Sequence, residues 1–484
     1  MGSITVLDST ITNTAVAFNT SSNHTGPNTF ESFILENIQL TNVAIAIEGA
    51  GGSTVLAGSK GTTTIAAFGA GHSYTGTSGP TPFEGAFAPP ARPASLLSGS
   101  RYYSRSKPQY EDRPVPLFVS ARSIGAKGDG VTDDTASLQA GIDGAARRNK
   151  IFFFDAGTYK VTKTLYIPPK SRMVGESYSV IMSSGSFFND QSNPQPVVQI
   201  GYPGQSGVVE WSDMIVSTQG MQEGAILIQW NLISSSDSPS GMWDVHTRVG
   251  GFDGSNLQLA QCPTTPTVST VDTHCIAAYT NMHITKGATG LYMENNWLWT
   301  ADHDVDNPNL TQITIYSARG LLIESVLGTF WLVGTAVEHN TFYQYQLSGT
   351  QNIFMGQIQT ETPYYQPNPA VPVPFTPNAA LNDPTANNGA DAYGLRVLNS
   401  RNILVYGAGL YSFFDNYSTV CSETKNENCQ PDLMALDGSN SAVTVYNLNG
   451  IGAPYLIEIN GVRTAAYFDN VNNFPANVAL FRSS

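Results

Sequence analysis

The chain has 484 residues, of which 41% are hydrophobic and only 12% are charged, with 45 glycines and 28 prolines. This length is enough for a large core and allows two or more domains. The formal net charge of −14 argues against a nucleic-acid partner, because phosphate binding needs a basic surface. No apolar run is long enough to cross a membrane. The low charge and the abundance of Asn, Thr, Ser and Gly favour short strands and tight turns over long helices.

Residues 1 to about 95 contain short apolar segments separated by Gly, Ser and Thr turns, for example 32–40 and 43–47. These segments predict strands. The first residues, Met-Gly-Ser-Ile-Thr-Val-Leu, also predict a strand and show neither the charged nor the apolar part of a signal peptide. We therefore expect a truncated chain or gene model in which the first domain is only partly present.

A segment rich in Pro, Arg and Ser runs from about Pro89 to Pro116. A composition shift of this kind marks a domain boundary. The predicted organisation is a partial first domain at 1–95, a linker at 96–122 and a complete second domain at 123–484.

The second domain opens with a glycine-rich turn that starts at Gly125 and leads into a short amphipathic helix. Asp133 and Asp134 fit the first helical turn, where carboxylates complement free backbone N–H groups. One face of the helix is apolar, with Leu138, Ile142, Ala145 and Ala146. A buried strand starts at Ile151, and Pro168 and Pro169 end the next one. This pattern predicts a cap over the end of a solenoid.

The glycine-rich turn also allows a phosphate-binding interpretation, because backbone amides of such turns can hold phosphate. No Gly-Lys-Ser/Thr follows the turn, and Lys127 comes before its last glycine. The structural turn is therefore the favoured interpretation.

A short phrase recurs in the second domain, starting at Gly290, Gly320, Asn352 and Asn402. Repeats with short strands predict a solenoid whose coils share one core. A Pro/Asn-rich insertion after Pro363 lengthens the last interval. A β-sandwich is the alternative, which uneven coil lengths disfavour.

Three acidic residues end related phrases: Asp302 after Trp297-Leu-Trp, Glu338 after Trp331-Leu-Val, and Glu361 after Phe354-Met-Gly. Glu338 and Glu361 are 23 residues apart, close to one compact coil. Aligned coils lie about 4.8 Å apart, so one of the two carboxyl groups should keep its proton to higher pH. A protonated carboxyl group beside an ionised one suits the general acid of glycosidic bond cleavage.

Strand alternation predicts which side chains of this region reach the outer face. From Phe354 onward it places Phe354, Gly356, Ile358 and Thr360 toward the core and Gln357, Gln359 and Glu361 outside. Simple alternation from Leu332 would turn Glu338 inward, so Glu338 needs a bulge or corner after Gly334 to join the same surface.

His303 and His339 follow two of the acids, which permits a metal site with Asp302, Asp304 and Glu338 as further ligands. Hydrogen-bonded polar surface is the simpler explanation of such neighbours. The aromatic residues nearby suit sugar rings, although such residues are also ordinary core components. They are Trp297, Trp299, Trp331, Tyr364 and Tyr365.

The four cysteines form two close pairs without metal-binding spacing, Cys262 with Cys275 and Cys421 with Cys429. Two local disulfides are favoured over free thiols. Four sequons are compatible with secretion, at Asn19, Asn23, Asn309 and Asn416.

The cap, the linker, the acidic cluster and the phrase Tyr455-Leu-Ile-Glu-Ile-Asn-Gly-Val together resemble glycoside hydrolase family 55. The resemblance covers nearly the whole chain and implies an all-β fold, a right-handed parallel β-helix of the pectate-lyase-like superfamily. It further implies exo-acting, inverting hydrolysis of β-1,3-glucan such as laminarin, without a metal or organic cofactor. Glu361 matches the general acid and Glu338 an assisting carboxylate. The expected substrate contacts are Trp299, Asp302, His303, Gln359, Tyr364 and Tyr365.

We accordingly expect a secreted monomer with a glucan partner and no nucleic-acid or membrane partner. Glutamines of the family's first β-helix hold the attacking water, and no counterpart is identified in this sequence, so the water-activating group stays unassigned. A glucan-binding or inactive remnant is one alternative. A pectin-active enzyme is another, although the chain has no Gly-His-Gly phrase and no basic companions for galacturonate.

Overall fold

The computed structural model describes residues 3–20, 32–385, 391–423, 426–471 and 474–483. The sequon at Asn23 lies outside the described residues. The N-terminal strands are β1 (Ser3–Leu7), β2 (Thr10–Asn19), β3 (Ser32–Glu48), β4 (Thr54–Thr75) and β5 (Ser78–Ala86). The next elements are β6 (Leu97–Ser98), β7 (Arg101–Tyr102), β8 (Phe118–Ser120), β9 (Asp129–Asp133) and helix α1 (Thr135–Arg147).

The remaining elements follow from Ile151 onward. They are β10 (Ile151–Phe153), β11 (Gly157–Val161), β12 (Leu165–Ile167), β13 (Arg172–Ser183), β14 (Gln195–Ile200), β15 (Glu210–Thr218), β16 (Ala225–Trp230), β17 (Ser240–Val249), β18 (Ile276–Ile284), β19 (Leu291–Glu294), β20 (Trp297–Thr300), β21 (Tyr316–Ile323), β22 (Phe330–Val333), β23 (Ala336–Glu338), β24 (Tyr343–Ser348), β25 (Gln351–Glu361), β26 (Tyr393–Leu398), β27 (Arg401–Tyr411), β28 (Asp432–Asp437), β29 (Ser441–Ile451), β30 (Tyr455–Ile459), β31 (Val462–Ala466), α2 (Tyr467–Asn470) and β32 (Ala476–Arg482).

Two sheets of parallel strands stack coil upon coil. In the long sheet β13, β15 and β17 pair in parallel, and the ladder continues through β20 and β23 to β25, β27 and β29. The second sheet climbs in parallel from β12 to β30. Apolar side chains of both sheets fill the space between them. This is a parallel β-helix, and the predicted all-β solenoid is confirmed.

One of the four repeat phrases lies in a different sheet from the other three. The phrase at Gly320 lies in β21 of the second sheet, whereas those at Gly290, Asn352 and Asn402 open strands of the long sheet. The residue that pairs with Leu291 of β19 is Phe330 of β22. Both sheets use short apolar strands with Gly or Asn corners, so the phrase alone does not distinguish them.

The cap helix buries the predicted apolar face of Leu138, Ile142, Ala145 and Ala146 and contacts β10 and β12. The helix begins at Thr135, so Asp133 and Asp134 precede it instead of lying in its first turn. The Asp134 carboxylate accepts the backbone N–H groups of Lys127 at 2.7 Å and Gly128 at 2.9 Å. It therefore folds the glycine-rich turn onto the helix start instead of capping the helix itself.

The N-terminal segment has mixed pairing. β1 and β2 run parallel to β3, as in a coil, but β3, β4 and β5 are antiparallel to one another. β3 is one strand of 17 residues where two strands were predicted. The expected turn is a bulge at Asn42, which has a φ of 55° and interrupts the register with β4. The division at residues 95 and 122 stays a prediction.

This segment and the linker cover part of the outer face of the long sheet. Their apolar side chains pack against the aromatic residues that the sheet presents there, a group we call the outer cluster: Trp243, Tyr292, Trp331, Phe354, Tyr406 and Tyr446. The indole N–H groups of Trp243 and Trp331 donate at 3.0 Å to the carbonyl groups of Arg105 and Leu96 in the linker. The linker is therefore fastened to the sheet along its length.

Two disulfides tie the loops that follow the long sheet, Cys262–Cys275 and Cys421–Cys429. This confirms the predicted local pairing. Within the described residues, no helix is both long and apolar enough to cross a bilayer.

Candidate active site

Five outward-facing side chains form one line across the long sheet. The register pairs Arg248 of β17 with Trp299 of β20, Trp299 with Glu338, Glu338 with Glu361, and Glu361 with Tyr411 of β27. Neighbouring strands in a sheet lie about 4.8 Å apart. The two carboxyl groups are therefore direct neighbours, as the sequence predicted.

A bulge in β25 places Glu361 on this line. Gln357 has a φ of 54°, which reverses the alternation of the strand. After the bulge, Ile358 and Thr360 are buried while Gln359 and Glu361 are partly exposed, as predicted. Before it, the prediction was wrong: Phe354 joins the outer cluster, and Gly356 lines an outer cleft.

A break between β22 and β23 places Glu338 on the same line of outward-facing side chains. Gly334 has a φ of 60° and separates the two strands. Leu332 and Val337 both point into the core across this break, so Glu338 emerges on the outside. The predicted corner after Gly334 is confirmed. The bulge at Gln357 and the break at Gly334 thus bring Glu361 and Glu338 to one surface.

The buried imidazole of His339 lies behind the pair. Its Nδ1–H donates to the carbonyl group of Thr300 at 2.9 Å, and Nε2 is 3.4 Å from Oε2 of Glu361. Burial alone would lower the pKa of His339. The hydrogen bond to Glu361 and the charges of Asp302, Glu361 and Glu338 outweigh burial and raise this pKa to about 9. The site therefore holds a positive charge beside Glu361 at neutral pH.

The two carboxyl groups have different surroundings. Glu338 is only 8% exposed, and its burial, together with the charges of Glu361 and Asp302, raises its pKa to about 7 despite the opposing influence of His339. The side chain of Glu361 is 26% exposed and lies at the surface. Burial therefore lets Glu338 keep its proton to higher pH than an exposed carboxyl group would.

Two stacked tryptophan rings differ in their exposure. Trp299 is 3% exposed. The ring of Trp297 stacks on it with 4.8 Å between ring centres, and the His303 ring lies 5.4 Å away, also centre to centre. Trp297 is 38% exposed and presents the free face. Of the two stacked rings, Trp297 is therefore the one exposed to solvent, and the predicted contact at Trp299 stays a prediction.

The remaining predicted residues fall into two groups. Asp302 and His303 are partly exposed and hydrogen-bonded to each other at 2.8 Å, and Gln359 donates to Oε1 of Glu361 at 3.3 Å. Tyr364 and Tyr365 have no exposed surface in this structure, so their predicted contact with sugar stays a prediction. Their hydroxyl groups bond to internal loop residues, because the loops after β20 and β25 close over them.

A cleft of about 730 Å³ is lined by residues of β25, β27 and β29 together with β1 and the linker, and its lining includes Gln359 and Tyr411, the neighbours of Glu361. Gly356, Gly407 and Gly409 form much of its floor, and Tyr102 and Tyr103 lie at the far end. Within the described residues, no group of three Asp, Glu, His or Cys side chains is placed to hold a metal ion. The site offers carboxyl groups, one imidazole and aromatic faces, which are the elements of proton transfer to a sugar.

The chain matches known proteins over both its β-helix and its full length. The profile described as "Rhamnogalacturonase A/epimerase, pectate lyase-like" matches residues 118–331. "Glucan 1,3-beta-glucosidase" of Cochliobolus carbonum is 47% identical over 99% of this chain and 60% of the relative. "Probable glucan endo-1,3-beta-glucosidase" of Arthroderma benhamiae is 44% identical over 81% of this chain and 45% of the relative. The chain is thus similar over most of its length to fungal proteins named as glucan 1,3-beta-glucosidases.

One solved structure, sacteLam55A from Streptomyces sp. SirexAA-E, covers 99% of this chain and 74% of its own, at 13% identity and a TM-score of 0.45. The two curated relatives are longer than this chain, which spans 60% and 45% of their lengths. The two named relatives support the family 55-like assignment made from the cap, the linker and the acidic cluster.

Sequence reasoning missed two residues of this candidate site. Tyr411 lies directly beside Glu361, and Trp297 offers the exposed ring. His339 was considered only as a metal ligand, whereas its ring contacts Glu361. The position of Tyr411 follows only from the register of β25 with β27 across the long insertion, which no sequence signal defines.

Proposed function

We propose that the chain is a glycoside hydrolase that cleaves β-1,3-glucan, with Glu361 as the general acid. The pairing of Glu338 with Glu361 on the open outer face carries this proposal. The names of the two fungal relatives, a glucan 1,3-beta-glucosidase and a probable glucan endo-1,3-beta-glucosidase, support the choice of substrate. Release of glucose from chain ends with inversion is the expectation from the family resemblance.

The two carboxyl groups divide the proton transfer between them. Glu361 is the more exposed and reaches the glycosidic oxygen, while the buried Glu338, whose pKa is raised to about 7, lies directly beside it. As the bond between the anomeric carbon and the leaving oxygen breaks, Glu361 gives its proton to that oxygen. The His339 imidazolium then stabilises the Glu361 carboxylate that remains.

Water attack needs a group on the other face of the sugar. In inverting enzymes the acid and the base flank the sugar ring, roughly 6.5–9.5 Å apart. Glu338 and Glu361 are adjacent on one ladder and therefore lie on the same side of a bound sugar. Glu338 thus assists the acid and does not serve as the base. Inversion therefore requires a water-activating group on the face of the sugar opposite this ladder.

Secretion and a monomeric state belong to the same proposal. Two disulfides form and persist in oxidising compartments, which fits an extracellular enzyme. A soluble or cell-wall β-1,3-glucan is the proposed partner. The chain needs no metal or organic cofactor in this mechanism, since proton transfer and charge stabilisation come from its own side chains.

A pectin substrate is the second candidate, because the matching family profile carries a rhamnogalacturonase description. Of the five residues on the Arg248–Tyr411 line, only Arg248 is basic. A run of galacturonate units would place several carboxylates against Glu338 and Glu361. Repulsion between these groups favours the neutral glucan.

The test is sugar release from laminarin and from polygalacturonate by the wild type and by Glu361→Gln. We expect laminarin turnover that drops by about 10²–10⁴-fold in the variant, the range of general acid catalysis. Glu111→Gln is the matched control, since Glu111 is exposed in the linker, and its rate should be unchanged. Full laminarin activity in Glu361→Gln, or release only from polygalacturonate, would contradict the proposal.

A further inference from the structure

Tyr411 occupies a distinctive place at the end of β27. It pairs in register with Glu361 and lines the cleft next to the acid pair. Its side chain is half-buried, and within the described residues its hydroxyl group has no hydrogen-bond partner. The ring of Phe413 supports it at 5.4 Å between ring centres. An aromatic ring with a free hydroxyl group at a cleft wall can contact both the face and the hydroxyl groups of a sugar.

Gly409 determines how this ring lies. A Cβ atom at Gly409 would come within 2.5 Å of the Tyr411 hydroxyl oxygen and 2.7 Å of Cζ. The ring therefore lies flat across Gly409, two residues earlier on the same face. Gly409 also pairs with Gln359, whose side chain donates to Glu361. The space that Gly409 leaves thus brings the ring over the cleft floor beside the acid.

Aromatic rings consequently stand on both sides of the acid pair. Trp299, with Trp297 stacked on it, precedes Glu338 on the line, and Tyr411 follows Glu361. Each step along this line is about 4.8 Å. A glucosyl unit at Glu361 would have the Trp297 ring on one side and the Tyr411 ring on the other.

We propose that Tyr411, held flat by Gly409, is a sugar-contact residue that encloses the glucosyl unit at Glu361. This inference rests on the proposed function. Tyr411 thereby becomes a contact to the sugar, and Gly409 the residue that orients its ring. Contact with the substrate explains why this ring faces the cleft instead of the core.

The experiment measures binding in the Glu361→Gln background, so that turnover does not consume the ligand. Titration calorimetry with a laminari-oligosaccharide compares this parent with three further changes, Tyr411→Ala, Tyr411→Phe and Gly409→Ala. We expect about ten-fold weaker binding for Tyr411→Ala, and a similar loss for Gly409→Ala because its methyl group displaces the ring. Tyr411→Phe keeps the ring and should lose about three-fold or less.

Gly287→Ala is the control, because a Cβ atom there meets nothing within 4 Å. Unchanged binding in both Tyr411→Ala and Gly409→Ala would overturn the role of Tyr411. Laminarin turnover by the wild type, measured in parallel, separates the two claims. If the wild type hydrolyses laminarin while the Tyr411 changes have no effect, only the Tyr411 inference fails. If the wild type neither binds nor hydrolyses laminarin, both fail.

Discussion

The outer face of the long sheet carries carboxylates in two regions with opposite surroundings. Within the N-terminal segment that covers this face, Glu36 of β3 is 1% exposed and accepts hydrogen bonds from Arg92 Nε at 2.7 Å and from the hydroxyl groups of Tyr406 and Tyr446 at 3.0 and 2.7 Å. Beyond that cover, Glu338 and Glu361 face each other, with His339 as the cation in contact. The first region supplies donors to one acid, and the second places two acids together.

This difference separates a structural carboxylate from a chemical one. A buried charge is tolerated when charged and hydrogen-bonding partners replace water, as Arg92 and the two tyrosines do for Glu36. Glu338 has burial and a neighbouring acid instead, and its pKa is raised to about 7. Groups perturbed in this way at a cleft are where proton transfer occurs. A substitution in one region leaves the other region unchanged, so the two can be tested separately.

The largest effect on folding is expected from Arg92→Ala. The change leaves Glu36 buried without its cation and also removes the contact with Asp8 at 2.7 Å and the position over the Tyr102 ring. Breaking a buried ion pair costs about 3–5 kcal/mol, so the free energy of unfolding in urea should fall by this amount. Arg113→Ala, at an exposed pair with Asp112, should change it little. A loss below about 1 kcal/mol for Arg92→Ala would mean that Glu36 is satisfied without it.

In the open region, Glu338→Gln should raise stability and lower activity at the same time. The pKa of Glu338 is about 7 in the folded protein against an ordinary value of 4.5. The folded state therefore holds this proton more tightly, and the stability that it confers is lost as the pH rises through 7. The wild type should be less stable at pH 8 than at pH 5.5, and Glu338→Gln should remove about 2 kcal/mol of that difference.

The activity of Glu338→Gln should fall about 100-fold, with the alkaline limb of its pH profile moved to lower pH, because Glu361 loses the neighbour that keeps the pair protonated. Unfolding measured at both pH values for both proteins, together with pH–rate profiles on laminarin, checks this. An identical pH dependence of stability in the two proteins would show that Glu338 ionises normally.

Local pattern predicted the parts of this molecule in which alternation or helical period is uninterrupted. The buried face of α1 and the inward Ile358 and Thr360 followed directly. Phe354 did not, because the positive φ of Gln357 reverses the strand between them. A glutamine gives no sign of a bulge, whereas Gly334 did, and the corner before Glu338 could therefore be anticipated.

Exposure within the site could not be read in the same way. Trp297 and Trp299 lie on one face and stack, so either ring could have been the outer one. Which ring is covered depends on the loop after β20, and Tyr364 is sealed by the same loop. Such long-range packing between loops is not expressed in any period of the sequence. The acid pair was predictable because both residues belong to strands one coil apart.

The smallest expected effect tests whether Tyr364 belongs to the framework or to the sugar site. Its hydroxyl group donates to the carbonyl of Ala301 at 3.0 Å and accepts the N–H of Ile315 at 3.1 Å. Tyr364→Phe removes both bonds inside the protein and should reduce the free energy of unfolding by about 1–2 kcal/mol, with KM for laminarin within about two-fold of the wild type. Trp297→Ala should show the reverse, a raised KM with little change in stability, because its exposed ring is not part of the core. A raised KM and unchanged stability in Tyr364→Phe would show that this tyrosine belongs to the sugar site and not to the structural framework.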